Sequence, residues 1–271
     1  MPKLLIKGKH LAYEEYGEGF PILFGSSYLW DASMWVPQIE AFSRKYRCII
    51  PELWGHGQSD SIPAIPYSIE ALAKDHYQLL ERLNIDRCVV VGLSVGGMWG
   101  AQLALNHPDK VSALVLMDTS VAPEPPETQQ RYFGMAAMVE QTGKLPVPLV
   151  EQILPLFFAP ETLRSQPGVV EDFKQRLLNW PAENITSLVA LNRAIFSRAS
   201  LLERLGELSM PTLVMVGEED NPRPPHEAQA MADAIPGAEY FVIPNAGHVA
   251  NLEQPQMVNE VLHDFFLRNI R

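Results

Sequence analysis

The chain has 271 residues and is 47% hydrophobic, enough for one substantial core, and it fits a single α/β domain carrying an insertion better than two equal domains. A formal net charge of −11, with no run of Lys or Arg, argues against nucleic acid as a partner. No segment reaches the length of an apolar membrane-spanning helix, and charge at Lys3 and Lys7 breaks the N-terminus before a signal-like apolar run can form.

Taken in order, residues 4–7 and 11–16 alternate apolar and polar side chains and predict an antiparallel pair, with His10 on the surface near the turn. Residues 21–24 predict a short buried strand ending at Gly25-Ser26-Ser27, and residues 33–45 a helix containing Trp35. The next strand spans 46–51. It is followed by a glycine-punctuated loop, Gly55-His56-Gly57-Gln58-Ser59, in which His56 reads as a turn-stabilising residue or, alternatively, a base. Helical spacing at Ile69, Leu72, Ala73, His76, Leu79, Leu80 and Leu83 predicts a helix over 68–83, with His76 at the edge of the core. Cys48 and Cys88 each sit in apolar strand-like runs and read as buried free thiols of a reducing compartment, the cytoplasm.

The most informative stretch is Val89-Val90-Val91-Gly92-Leu93-Ser94-Val95-Gly96-Gly97. Three β-branched residues lead into Gly-x-Ser-x-Gly, and a helix-compatible run follows to Asn106. A strand turning sharply into a helix lifts its corner serine clear of the sheet edge. The neighbours two positions away must be small, because a Cβ there would strike the adjoining helix or strand. Ser94 is therefore the candidate nucleophile. A strand over 111–117 comes next, and then the strand–helix alternation stops. Residues 121–208 are rich in proline and show helical pieces at 128–141, 147–158, 170–179 and 185–197, with no strand pattern. This predicts a helical cap inserted into a core made of residues 1–120 and 209–271. Some of its large apolar residues would line a pocket above Ser94. Its arginines (131, 164, 176, 193 and 198) read as solvated helix faces, with one carboxylate binder among them as the alternative.

Alternation resumes with a strand at 211–217, the loop Glu218-Glu219-Asp220-Asn221-Pro222, a helix over 225–235, a strand at 238–243 and the loop Pro244-Asn245-Ala246-Gly247-His248. A final helix spans 255–269. A serine hydroxyl needs an adjacent base, and the base needs an acid to hold one tautomer. Asp220 and His248 both follow strands and come after Ser94 in the order nucleophile, acid, base. Glu218, Glu219 and Asp118 compete with Asp220 for the acid. The loop after residue 24 and the residue after the nucleophile can present backbone N–H groups to a developing oxyanion, which selects Ser26 and Val95. No histidine or cysteine spacing suggests a metal site.

On Gly92-Leu93-Ser94-Val95-Gly96-Gly97, Gly217-Glu218-Glu219-Asp220, Ala246-Gly247-His248 and Gly55-His56-Gly57-Gln58-Ser59, the chain resembles the α/β-hydrolase-fold superfamily over almost its full length. The resemblance implies an eight-stranded, mostly parallel sheet flanked by helices, with a helical cap after the sixth strand, and acyl transfer to water through an acyl-enzyme without a cofactor. Within the superfamily the chain is similar to small capped esterases, enol-lactonases and carbon–carbon bond hydrolases. One departure is Phe24, where many members carry histidine before the oxyanion loop. The expected activity is hydrolysis of a small carboxylic ester or lactone with an apolar portion. The same triad would serve a carbon–carbon hydrolase. A cofactor-free lyase or oxygenase would use His248 as base and Ser94 only to position substrate, and a ligand receptor would use the lid to report binding. No nucleic acid or membrane partner is expected, and a homodimer is left open.

Overall fold

The computed structural model describes residues 1–270. The order along the chain is β1 (Lys3–Ile6), β2 (Lys9–Tyr16), β3 (Phe20–Gly25), α1 (Val36–Phe42), β4 (Tyr46–Pro51), α2 (Ile69–Arg82), β5 (Cys88–Leu93), α3 (Val95–Asn106) and β6 (Val111–Met117). Five helices follow before the next strand: α4 (Pro126–Thr142), α5 (Val147–Phe157), α6 (Pro160–Ser165), α7 (Pro167–Leu178) and α8 (Ile185–Phe196). The chain then completes β7 (Thr212–Gly217), α9 (Pro225–Ala234), β8 (Glu239–Ile243), α10 (Ala250–Glu253) and α11 (Pro255–Asn269).

Among the described residues the strands form one eight-stranded sheet in the order β1-β2-β4-β3-β5-β6-β7-β8. The two pairings made by β2 are antiparallel and the rest, from β4 to β8, are parallel. A parallel sheet must be covered on both faces, and its central strands are accordingly apolar on both. Every residue of β5 is buried, and one apolar cluster lies on each side of the sheet. No helix among the described residues is long and apolar enough to cross a membrane.

Most elements fall where periodicity puts them. Ser68 caps α2 by accepting the Ala71 N–H at 3.1 Å. The predicted helix over 33–45 is shorter, a single 3-10 turn (Ala32–Trp35) followed by α1, because Pro37 fits the first turn of a new helix but cannot continue one already begun. His76 is not at the core edge. It is fully buried, stacked on Trp99 at 3.9 Å between ring centroids, with Nδ1 2.8 Å from the Leu72 carbonyl. Burial pushes its pKa down to about 4, so it packs as a neutral ring. Cys48 and Cys88 are free and buried.

Two buried features carry stability predictions. Glu52, just after β4, accepts the Ala32 N–H at 3.2 Å through Oε1, while Oε2 has no partner among the described residues. Burial pushes its pKa up from 4.5 to about 7. Between those values the folded chain holds a proton that the unfolded chain has released, so this group's contribution to stability falls as pH rises through that window. Glu52→Gln is expected to gain on the wild type across it, by up to about 3 kcal/mol in urea unfolding measured at several pH values. A parallel pair of titrations would refute the assignment. The second feature is Gly96, where a Cβ would lie 2.1 Å from the Gly25 carbonyl oxygen. Since both groups are backbone, Gly96→Ala is expected to destabilise by about 2–3 kcal/mol, read as a lowered Tm, and to displace the loop after β3 from α3.

Candidate active site

The central strands deliver the site to one edge. β3 and β5 run parallel with Gly25 opposite Gly92, so the loops after them are neighbours. Ser94 sits at the turn from β5 into α3 with φ 56 and ψ −119, a left-handed conformation that costs a non-glycine residue about 1–3 kcal/mol. The surroundings hold it there. The Ser94 N–H donates to the Met117 carbonyl at 2.9 Å, and its own carbonyl accepts from Met98 N–H at 3.1 Å and from Thr119 Oγ1 at 2.6 Å. The crowding predicted for the flanking glycines is present: a Cβ on Gly92 would lie 2.3 Å from the Gly96 carbonyl oxygen.

The loops after β7 and β8 close on this serine. His248 Nε2 lies 2.9 Å from Ser94 Oγ, and His248 Nδ1 lies 2.9 and 3.0 Å from the two carboxylate oxygens of Asp220. An ionised carboxylate only accepts, so Nδ1 carries the proton and Nε2 is left bare to accept from the serine hydroxyl. Asp220 also accepts the Arg223 N–H at 3.0 Å. The ring of Phe157 stands edge-on to His248 at 5.4 Å, and the His248 N–H donates to the Phe157 carbonyl at 2.9 Å. All three side chains are buried.

Ser26 is buried immediately after β3, whose last residue, Gly25, packs directly against Gly96. Val95 is the first residue of α3, where the backbone N–H has no acceptor inside the helix. The two residues therefore flank the elbow from opposite elements. Phe24 faces the core, tilted against Trp35 at 5.0 Å. Both ring nitrogens of His56 face backbone groups. Its Nε2 accepts the Leu29 N–H at 3.2 Å and its Nδ1 lies 3.1 Å from the Trp54 carbonyl, consistent with a turn-stabilising residue.

The competing acids separate clearly. Asp118, at the end of β6, is fully buried and accepts the Gly217 N–H at 2.7 Å, so it braces β6 against β7. Burial first, and then the negative charge of Asp220, hold its carboxyl well above the usual carboxylate range. Glu218 turns outward to accept the Asn245 N–H at 3.3 Å.

A pocket opens beside Ser94 and His248. Its walls come from the loop after β3 (Ser27, Tyr28), from Met98 of α3, and from α4, α5 and α8, with Arg223 also contributing. The lining is mostly apolar, Val139, Leu149, Ile153 and Leu156 among it. Several residues around it gave no periodic or motif signal. Glu253 accepts the Gly247 N–H through Oε1 and the Ala159 N–H through Oε2, both at 2.8 Å, and so fixes the His248 loop. Glu124 is buried between two arginines, 2.8 Å from Arg198 and 2.7 Å from Arg223. Arg198 is thus not on a solvated helix face: its side chain is 3% exposed and paired. Among the described residues no cluster of His, Cys, Asp and Glu could hold a metal ion.

Comparison with known proteins agrees with the fold. A family model described as alpha/beta hydrolase fold matches residues 21–255. A curated relative, 3-oxoadipate enol-lactonase 2 of Acinetobacter baylyi, is 28% identical over 254 residues, covering 93% of this chain and 91% of the relative. Among solved structures, an esterase from Thermogutta terrifontis with malate bound is 32% identical with a TM-score of 0.91, covering 100% of both chains. The enol-lactonase from Burkholderia xenovorans LB400 is 28% identical with a TM-score of 0.89, covering 98% of this chain and 100% of that one. With a match across most of its length, the chain belongs to the alpha/beta hydrolase fold family.

Proposed function

We propose that the protein is a serine hydrolase that cleaves a small carboxylic ester or lactone through an acyl-enzyme. The observation that carries this reading is His248 bridging Ser94 Oγ and the Asp220 carboxylate within hydrogen-bond distance on both sides. Ser94 Oγ attacks the acyl carbon as its proton passes to His248 Nε2. The backbone N–H groups of Ser26 and Val95 hold the oxyanion of the tetrahedral intermediate. Asp220 keeps the imidazole in the Nδ1–H tautomer and stabilises the imidazolium that forms. His248 then protonates the leaving oxygen, giving an alcohol from an ester or a tethered hydroxyl from a lactone. Water, deprotonated by the same nitrogen, releases the acid and restores Ser94.

Helices α4–α8 act as the cap over this chemistry and supply most of an apolar wall, which suits an apolar portion of the substrate. The relatives named as esterase and enol-lactonase support the ester and lactone classes alike. The test is intact-mass labelling of wild type and Ser94→Ala with a fluorophosphonate. A single adduct on the wild type, absent from the variant, is the expected result. A folded wild type that takes no adduct would overturn the activated-serine reading.

A further inference from the structure

Asn192 lies on α8 one turn beyond Leu188, and both residues line the pocket beside Ser94. Asn192 is 5% exposed, yet its Oδ1 has no hydrogen-bond partner among the described residues. The Tyr28 hydroxyl, which comes from another wall of the same pocket, is already committed. Tyr28, in the loop after β3, donates its one proton to the Leu188 carbonyl at 2.9 Å and so ties that turn of α8 to the loop. The Tyr28 hydroxyl therefore has no proton left for the Asn192 carbonyl. Leaving a buried acceptor unpaired is unfavourable, and an apolar side chain would serve better if α8 had only to pack. The neighbours Val189, Ile195 and Phe196 on the same wall are of that kind.

We propose that Asn192, positioned by Tyr28, is a specificity-determining residue that accepts a hydrogen bond from the substrate, so that the substrate class is an ester or lactone bearing a hydroxyl or amide N–H on the portion lying against α8. The proposal rests on reading the Ser94 pocket as the substrate site. A neutral donor fits better than an ammonium group, because Arg223 lines the same pocket and is already cationic. A site that offers a buried acceptor rejects an analogue without the donor far more strongly than an apolar pocket rejects one fewer methylene.

The test uses three matched sets of p-nitrophenyl esters: unsubstituted acids, acids with a hydroxyl at successive carbons, and their methyl ethers, which accept but cannot donate. Alkyl acetates substituted in the same way on the alcohol cover the other side of the scissile bond. In the wild type one hydroxylated compound is expected to exceed both its ether and its unsubstituted partner in kcat/KM by roughly ten- to a hundredfold. Asn192→Leu is expected to collapse that ratio towards one, and Tyr28→Phe to reduce it. Equal treatment of the three sets by the wild type, a preference shared by the ethers, or a ratio that survives Asn192→Leu would each overturn the proposal.

Calorimetry on Ser94→Ala separates this from failure of the hydrolase reading, because it needs no turnover. Selective binding of the hydroxylated compounds, lost in Ser94→Ala/Asn192→Leu, supports the anchor even where the wild type hydrolyses nothing. Absence of selectivity in both measurements removes the anchor while leaving Ser94 chemistry untouched.

Discussion

Ser94→Ala is expected to lower kcat/KM for a short p-nitrophenyl ester on the order of 10⁵-fold, with the fold retained. Removing Oγ removes the bond-forming atom, and the hydroxyl of Thr119 is committed to the Ser94 carbonyl at 2.6 Å. What survives in the variant is oxyanion stabilisation and binding, which leave a residual rate well above that in water. The variant should also melt no lower than the wild type. Ser94 is held in its left-handed conformation by backbone hydrogen bonds and by Thr119, none of which uses its side chain. Steady-state kinetics and thermal melts on the same samples check both halves. A variant that retains more than about a hundredth of wild-type activity would exclude Ser94 as nucleophile.

Asp220→Asn is expected to lower kcat by about 10⁴-fold while Asp118→Asn stays within about threefold of wild type. The two acids are close enough that the charge of Asp220 perturbs Asp118, but their partners differ. Asp220 accepts from His248 Nδ1. An asparagine there presents N–H₂ to that nitrogen and forces the proton onto Nε2, where it blocks acceptance from Ser94. Asp118 accepts from the Gly217 N–H, and burial keeps its carboxyl protonated well above the usual carboxylate range, so a neutral amide of the same shape is close to what is already present. The stability of Asp118→Asn follows in sign. A raised carboxyl pKa makes the wild type lose stability as pH rises above the ordinary carboxylate range, and the amide does not titrate. Its melting temperature should therefore gain on the wild type as pH rises. Reversed activities for the two variants would assign the acid to β6 instead of β7.

The fold and the three side chains were legible because each leaves a local trace. A strand that enters Gly-x-Ser-x-Gly and leaves as helix constrains its own backbone. Asp220 and His248 follow apolar runs whose ends must lie at one sheet edge. The spacing of apolar residues alone sets α2 and α11 to within a residue or two. Supporting residues leave no such trace. Thr119, Glu253 and Glu124 act through one or two contacts each to backbone or arginine, most of them far away in sequence, and each is a polar residue in a loop or short helix, where polarity is expected anyway. His76 misleads for the same reason. Its helical register places it on the buried face, but the flat stack against Trp99 and the hydrogen bond to the Leu72 carbonyl are what let a polar ring sit fully inside. The short helices α6 and α10, of six and four residues, fall below the length at which periodicity can be recognised.

The helices between β6 and β7 leave and rejoin the sheet at one point. The Leu201 N–H donates to the Val121 carbonyl at 2.9 Å, and Glu124 grips Arg198 from the returning chain together with Arg223 of the acid loop. To the sheet, everything between those clasps is a single closed excursion, and the entropy of closing such an excursion rises only by about 0.6 kcal/mol for each doubling of its length. The further hydrogen bonds from the roof to the histidine loop, His248 N–H to the Phe157 carbonyl and Ala159 N–H to Glu253, use the roof's backbone and not its side chains. Under the proposed function, change of the pocket-facing side chains of the roof would therefore alter what the pocket accepts at little cost to how the floor folds, so that selectivity and chemistry can diverge separately in descendants of this chain.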